Sequence, residues 1–355
     1  MRKISLDIKT IVIFICVLLK YLIEYKVNKY ILYSTVVVIL FFQFLRILKN
    51  LKGNKVIIKS VVFLVFSIIS TIIYKDVNFL ITFVLALTLI NCDVKDFVKK
   101  FMISSSIMYI MTILLYFLGV LNDNYLMRTT SNGYIIRHSL GFTHPNSIFM
   151  FYIPIVLCAY LLENNKKKFY VIFTILSLVL YKLSLSRTGI YCIILLFILD
   201  IFKKKINYKK IISWLPLMFF AASYFIAIKY GNSKSDAINV LFSNRPYLWN
   251  RIIENANMFT VFGSNVLSDL YLDNFYLAMV YRCGLYSTLL YYFILIFGMK
   301  NINNNKVYVS VLIFMIYGLA ESNTLIGSIN FTLAFLLYSI IGNKFEFGGQ
   351  ISDRE

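Results

Sequence analysis

Residues 146–205 read NSIFMFYIPIVLCAYLLENNKKKFYVIFTILSLVLYKLSLSRTGIYCIILLFILDIFKKK. Three apolar runs (146–162, 169–183 and 187–202) are separated by lysine clusters on one side and by a short polar turn on the other. A hydrocarbon core of about 30 Å needs roughly 20 apolar helical residues to cross it. The stretch therefore predicts consecutive membrane-spanning helices and an all-α membrane fold.

The same alternation extends along the 355 residues, of which 60% are hydrophobic and 15% are charged. Soluble domains contain roughly 45–50% apolar and about 25% charged residues. This composition excludes a soluble enzyme, a disulfide scaffold and a disordered chain. We expect one integral membrane domain, residues 1–355, with about twelve spans (between about ten and twelve). The predicted spans are residues 10–23, 30–48, 56–73, 77–91, 101–120, 146–162, 169–183, 187–202, 211–229, 284–299, 306–320 and 324–341.

The net charge of +20 lies mainly in short lysine clusters between these runs. With both termini inside, the inner segments hold 23 positive residues and the outer segments hold 11. This bias follows the positive-inside rule and points to membrane lipid, not nucleic acid, as the partner of the charge. It predicts the N-in, C-in orientation of a multi-pass protein.

Arginine is distributed differently from lysine. The inner segments hold 20 Lys and 3 Arg, and the outer segments hold 6 Lys and 5 Arg. Because the planar guanidinium binds phosphate or carboxylate with two hydrogen bonds, the outer face is predicted to recognise an anion. The alternative is that these arginines cap helices or pair with lipid headgroups.

Two outer segments, 121–145 and 230–283, are much longer than the others and are predicted to form the functional face. The first contains both histidines of the chain, His138 and His144, beside Arg137. Histidine moves protons near neutral pH, so one of them is a candidate base near a bound anion. The alternative is a hydrogen-bonded interfacial histidine.

Two helix starts add candidate anion ligands. Ser186 and Arg187 begin the run 187–202, where unpaired backbone N–H groups favour negative charge. Ser186 alternatively serves as a simple N-cap. In the second loop, the pattern around Trp249 predicts a short amphipathic surface helix between Arg245 and Arg251, with Trp249 in the aromatic belt.

The remaining candidates are polar residues next to apolar segments. Asp273 and Asn274 precede one such segment, Arg282 lies within it, and Glu321 ends the run 306–320. Ionisable groups at membrane depth are costly and are functional candidates. The sequence contains no P-loop, GxGxxG, HExxH or Asp-x-Asp motif, so neither a cofactor nor a metal is predicted.

The order of these motifs resembles the Wzy-type polysaccharide polymerases of capsule and exopolysaccharide synthesis, within the O-antigen polymerase and ligase superfamily. The motifs are Arg137-His138…Gly141-Phe142…His144-Pro145-Asn146, then Ser186-Arg187-Thr188-Gly189, Arg245-Pro246…Trp249 and Asp273-Asn274-Phe275-Tyr276. The resemblance implies a GT-C-like fold in the cytoplasmic membrane and an active site facing outside. It implies no metal and no cofactor. It also implies transfer of a growing glycan from undecaprenyl pyrophosphate to the non-reducing end of a new lipid-linked repeat unit.

Under this resemblance, Arg137, Arg187 and Arg245 hold the pyrophosphate. The candidate bases are His138 and His144, with Asp273 and Glu321 as alternates. Further substrate contacts are expected from Asn146, Ser186, Trp249, Arg251, Asn274, Tyr276 and Arg282. A chain-length regulator and a flippase of the same pathway are the expected protein partners.

Two other functions stay open on the sequence alone. One is an O-antigen-ligase-type glycan transferase, although the ligase relatives use a histidine in the large outer loop and residues 230–283 contain none. The other is a lipid-linked oligosaccharide flippase or transporter. A carrier usually has polar features near the midplane of paired repeats, whereas the polar motifs here gather on one predicted face.

Overall fold

The computed structural model of the protein describes residues 7–25, 34–39, 42, 54–74, 77–90, 92–130, 133–203, 207–233, 238–239, 242, 244–255, 260–263, 273–322, 327–342, 345 and 347. These residues are mostly helical. The helices, numbered here in chain order, are α1 (Ile8–Glu24), α2 (Asn54–Tyr74), α3 (Asn78–Leu89), α4 (Val94–Phe117), α5 (Ser147–Leu162), α6 (Lys166–Ser184), α7 (Arg187–Phe202), α8 (Tyr208–Tyr230), α9 (Arg245–Asn255), α10 (Phe275–Leu277), α11 (Gly284–Lys300), α12 (Asn305–Tyr317) and α13 (Phe331–Gly342).

Most predicted runs coincide with one of these helices. Helix α1 continues past Lys20, whose buried ammonium group lies 3.9 Å from the Glu24 carboxylate. Helix α4 begins earlier than predicted because the Asp93 side chain caps it by accepting from the backbone N–H of Asp96. The predicted run 30–48 lies largely outside the described residues.

The helices form an inner and an outer group. Almost every residue of α3, α5, α12 and α13 is buried. The outer helices α2, α6, α7 and α8 instead expose large apolar side chains, such as Ile72, Val171, Ile201 and Met218. A water-soluble protein would cover such faces, whereas lipid solvates them. This arrangement is typical of a membrane protein.

Three of the described helices are long and apolar enough to cross a membrane. They are Lys55–Ile73 within α2, together with α4 and α8. Helices α3, α5, α11, α12 and α13 are apolar but shorter. The protein is therefore an all-helical membrane protein in its main architecture.

The first long loop departs from an entirely helical fold. Residues Leu126–Thr130 (β1) and Gly133–Arg137 (β2) pair as an antiparallel hairpin, with Leu126 opposite Arg137. The helical periodicity of the sequence does not indicate two strands of five residues each. The hairpin brings Arg137 back to the start of the loop and next to the end of α6.

One close helix contact positions the start of α7. A Cβ atom on Gly189 would lie 2.1 Å from Cγ of Phe149 in α5. Glycine therefore allows α7 to approach α5 at its first turn, as small residues do between membrane helices. This contact brings Arg187 and Thr188 close to the beginning of α5.

Candidate functional site

Five polar residues from distant parts of the chain form one group at the ends of helices, held by hydrogen bonds and ion pairs. They are Arg137 at the end of β2, Asn146 before α5, Arg245 at the start of α9, Asp273 before α10 and Glu321 after α12. We call this group the helix-end cluster. Each of its members was a candidate from the sequence, and the fold brings all five together.

Arg245 and Asp273 form the central ion pair. The Arg245 Nε atom lies 2.5 Å from Asp273 Oδ2, and the two side chains are 18% and 7% exposed. The indole N–H of Trp249 donates to the other carboxylate oxygen at 2.9 Å. Both oxygens of Asp273 are therefore engaged, and Asp273 orients the guanidinium.

Arg245 also reaches two neighbouring elements. Its Nη2 atom donates to the carbonyl oxygen of Ala320 at 3.3 Å, and its Nη1 atom lies 3.5 Å from the hydroxyl of Thr188 in α7. The guanidinium is thus fixed among three parts of the chain. A preorganised guanidinium of this kind can stabilise a phosphate that gains negative charge.

Glu321 is the second buried carboxyl group of the cluster. The side-chain amide of Asn146 donates to its Oε1 atom at 3.0 Å, and Arg245 Nη2 lies 3.9 Å away. Burial, together with the nearby Asp273 carboxylate, raises the pKa of Glu321 to about 8. At neutral pH this group is mainly a neutral acid.

Arg137 connects the cluster to the two neighbouring helix ends. Its Nη2 atom donates to Asn146 Oδ1 at 2.6 Å, and its Nε atom donates to the carbonyl oxygen of Ser184 at the end of α6 at 2.9 Å. Asn146 therefore lies between a guanidinium and the Glu321 carboxyl. The expected role of Arg137 as an anion ligand is compatible with this position.

The geometry makes His144 a poor candidate for the base. Its Nδ1 atom accepts the backbone N–H of Asn146 at 3.0 Å. Burial, with the Arg137 guanidinium close by, lowers the pKa of His144 below its ordinary value. The neutral ring then carries its proton on Nε2, so His144 can donate a hydrogen bond but has no nitrogen ready to accept a proton.

Two acidic residues that the sequence analysis did not single out lie in or near this region. Asp123 binds His138, and Glu24 accepts hydrogen bonds from Ser147, at 2.8 Å, and from Thr143. Glu24 could have been noticed as an acid four residues after Lys20 at the end of the first apolar run. Asp123 is the sole acidic residue of segment 121–145.

The polar turn before α7 has the predicted position, but not the predicted side-chain cap. Ser186 occupies the N-cap position and is buried, but its side chain makes no capping hydrogen bond. Arg187 is half-buried as the first residue of α7. Thr188, the next residue, provides the contact to Arg245.

Two of the predicted substrate contacts hold the backbone after Asp273. Asn274 accepts the backbone N–H groups of Tyr276 and Leu277, each at 3.0 Å, and its amide group donates to Ser223. Tyr276 is buried, and its hydroxyl donates to the carbonyl oxygen of Met315 at 2.7 Å. Their prediction as substrate contacts stays a prediction.

The second long loop also needs corrections. The short helix is confirmed as α9, but Trp249 is not in an aromatic belt, because it is buried with Ala227 and Leu277. Arg282 ends a π-helical turn, Ala278–Arg282, within the apolar segment where it was expected, and its side chain is exposed. Arg251 is exposed as well. The described contacts join neither arginine to the helix-end cluster.

Comparison of this chain with protein-family models, with curated proteins and with solved structures finds no match. Among the described residues, no three His, Cys, Asp or Glu side chains come together as a metal-binding group. The side chains of the helix-end cluster provide two guanidiniums, a neutral carboxyl, an oriented carboxylate and the Asn146 amide.

Proposed function

We propose that this protein is a membrane glycosyltransferase that polymerises lipid-linked oligosaccharide repeat units. It transfers the growing glycan from undecaprenyl pyrophosphate to the non-reducing end of the next lipid-linked unit. The observation that carries the proposal is the half-buried Arg245, which Asp273 orients, together with a protonatable Glu321 that Asn146 links to Arg137. Such a site suits the charge that develops on a departing pyrophosphate.

The reaction assigns a task to each group. A hydroxyl oxygen of the acceptor sugar attacks the anomeric carbon of the donor glycan, and the bond from that carbon to the pyrophosphate oxygen breaks. The electron pair leaves with undecaprenyl pyrophosphate, whose charge Arg245, Arg137 and Arg187 stabilise. The hydroxyl proton passes to a base.

The topology we propose is N-in and C-in, with about twelve spans and a GT-C-like arrangement in the cytoplasmic membrane. It rests on the distribution of lysine and arginine in the sequence. In this orientation the helix-end cluster faces outside, where segments 121–145 and 230–283 meet. The chain-length regulator and the flippase of the pathway are the proposed partners.

The test is an analysis of lipid-linked glycans in cells that lack the gene, with and without the gene restored. A polymerase predicts that single repeat units accumulate on the lipid in its absence and that long chains return with it. Long lipid-linked chains that fail to reach their final acceptor would instead identify a ligase. Repeat units held on the inner leaflet would identify a flippase, and the proposal would be wrong.

A further inference from the structure

Asp123 and His138 form a second polar pair, in the first long loop. His138 Nδ1 lies 2.5 Å from Asp123 Oδ2. The other oxygen of Asp123 accepts the backbone N–H of Ser139 at 2.7 Å and its hydroxyl at 3.0 Å. The Asp123 carboxylate thus accepts three hydrogen bonds, one of which fixes the imidazole of His138.

The protonation states follow from this geometry. Burial raises the pKa of Asp123, but the hydrogen bonds from His138 and Ser139 outweigh it and hold that pKa below its ordinary value. An ionised carboxylate can only accept, so Nδ1 of His138 carries the proton in the contact. The lone pair of the neutral imidazole then lies on Nε2.

The pair is joined to the cluster through the chain. His138 directly follows Arg137, whose guanidinium binds Asn146 of the cluster at 2.6 Å. The backbone N–H of His138 donates to Leu183 at the end of α6 at 3.0 Å, next to Ser184, whose carbonyl oxygen accepts from Arg137. The side chain of His138 is 42% exposed, so its imidazole is accessible at the surface.

We propose that His138 is the base of the transfer reaction and that Asp123 is the residue that positions it. This rests on the proposed function and chooses among the four candidate bases. His144 has its Nδ1 atom occupied by Asn146, Asp273 has both oxygens engaged, and Glu321 is buried beneath Asn146. Nε2 of His138 takes the proton of the acceptor hydroxyl while its oxygen bonds to the anomeric carbon and undecaprenyl pyrophosphate leaves. The Asp123 carboxylate stabilises the imidazolium until the proton passes to water.

The pairing can be tested without measuring enzyme activity. The chain has two histidines, so His144→Gln leaves His138 as the single histidine for diethyl pyrocarbonate, whose product with imidazole has its own ultraviolet absorbance. We would measure the rate of this absorbance change in the purified protein at one fixed pH, about pH 8, with Asp123 intact and with Asp123→Asn. The matched control is Asp96→Asn at the other end of α4.

We expect Asp123→Asn to slow the reaction of His138 several-fold, because the ring loses the carboxylate that accepts from Nδ1 and makes Nε2 more nucleophilic. We expect no change in rate with Asp96→Asn. An unchanged rate with Asp123→Asn would mean that the pair does not form, and the proposal would be overturned.

The role of His138 as base is tested by the amount of polymer made when each variant is expressed in cells that lack the gene. Asp123→Asn and His138→Gln should each lower polymer by about 100-fold or more, and Asp123→Glu should restore part of it. A slower reaction with normal polymer would overturn the role as base and leave the proposed polymerase intact. If the unaltered gene restores no polymer, the proposed function fails and the role as base fails with it, whereas the chemical modification still reports on the pair.

Discussion

Two buried carboxylates at opposite ends of α7 are held in different ways. Asp200, in the last turn, is 1% exposed and accepts hydrogen bonds from Tyr160 at 2.7 Å, Lys166 at 3.2 Å and Lys203 at 2.5 Å, and from Tyr170. Glu321 lies near the first turn, where Thr188 contacts Arg245. It is 6% exposed, with the Asn146 amide at 3.0 Å and the Arg245 guanidinium at 3.9 Å. The two regions are about 18 Å apart along the helix.

The two sites differ in the groups that surround the carboxyl. Asp200 is surrounded by hydroxyl and ammonium groups, and this lysine cluster (Tyr160, Lys166, Tyr170, Asp200 and Lys203) satisfies its charge. At Glu321 the cation is a guanidinium that is already oriented by Asp273. Lysine ammonium groups thus surround Asp200, whereas an arginine guanidinium lies beside Glu321. The predictions below test whether the two sites differ in function as they do in geometry.

The largest effect is expected at Arg245. Arg245→Ala should lower polymer formation by about 100-fold or more, because the group that stabilises the leaving pyrophosphate is lost. Arg245→Lys should also be poor, since a point charge lacks the two-bond grip. Lipid-linked glycans separated on a gel, normalised to the amount of protein in the membrane, provide the measurement.

The control must distinguish lost chemistry from a damaged fold. Removing Arg245 leaves Asp273 as a buried carboxylate without that partner, which is itself destabilising. The double variant Arg245→Ala/Asp273→Asn also removes the buried negative charge of Asp273. Its protein level should therefore be higher than that of Arg245→Ala, while polymer stays absent. Arg251→Ala changes an exposed arginine of the same helix and should have normal polymer. Polymer in the double variant would disprove the role of Arg245.

The opposite result is expected at the lysine cluster. Asp200→Asn removes the charge that pairs with Lys166 and Lys203 and should lower the stability of the folded protein by on the order of 3 kcal/mol. Polymer per folded molecule should not change. Thermal unfolding of the purified protein in detergent measures the first quantity. A stable variant that makes no polymer would show that the lysine cluster takes part in function.

A smaller, pH-dependent effect is expected at Glu321. Burial and the Asp273 carboxylate raise the pKa of Glu321 to about 8. The pKa of a glutamate in an unfolded chain is about 4.3. Between these values the folded protein binds one more proton than the unfolded chain, so stability falls as pH rises through this window and levels off above it. Glu321→Gln should flatten this slope.

Unfolding midpoints measured at a series of pH values provide the test. Glu254→Gln, which changes an exposed carboxyl of α9, is the matched control and should retain the slope. The same slope in Glu321→Gln and in the unaltered protein would mean that Glu321 is ionised throughout and resembles Asp200.

The helices were predictable from sequence because they depend on local apolar runs of sufficient length. The members of the helix-end cluster were predictable one by one, because charged residues beside apolar segments are conspicuous. Their pairing was not predictable. Trp249 and Asp273 are 24 residues apart, and Asn146 and Glu321 are 175 apart, so packing among helices determines which of them meet. The same reason explains why the partner of His138 could not be identified before the hairpin was seen.

The smallest effect is expected from Trp249→Phe. The ring keeps most of its contacts with Ala227 and Leu277, but the indole hydrogen bond to Asp273 at 2.9 Å is lost. One such bond to a charged group contributes about 1.5–3 kcal/mol. Asp273 then holds Arg245 less rigidly, so we expect polymer to fall by about tenfold with little change in protein level. Phe220→Leu, which changes an apolar neighbour of the same core, serves as the packing control. If both variants lose the same amount of polymer, packing around α9 accounts for the loss, and Trp249 does not act through Asp273.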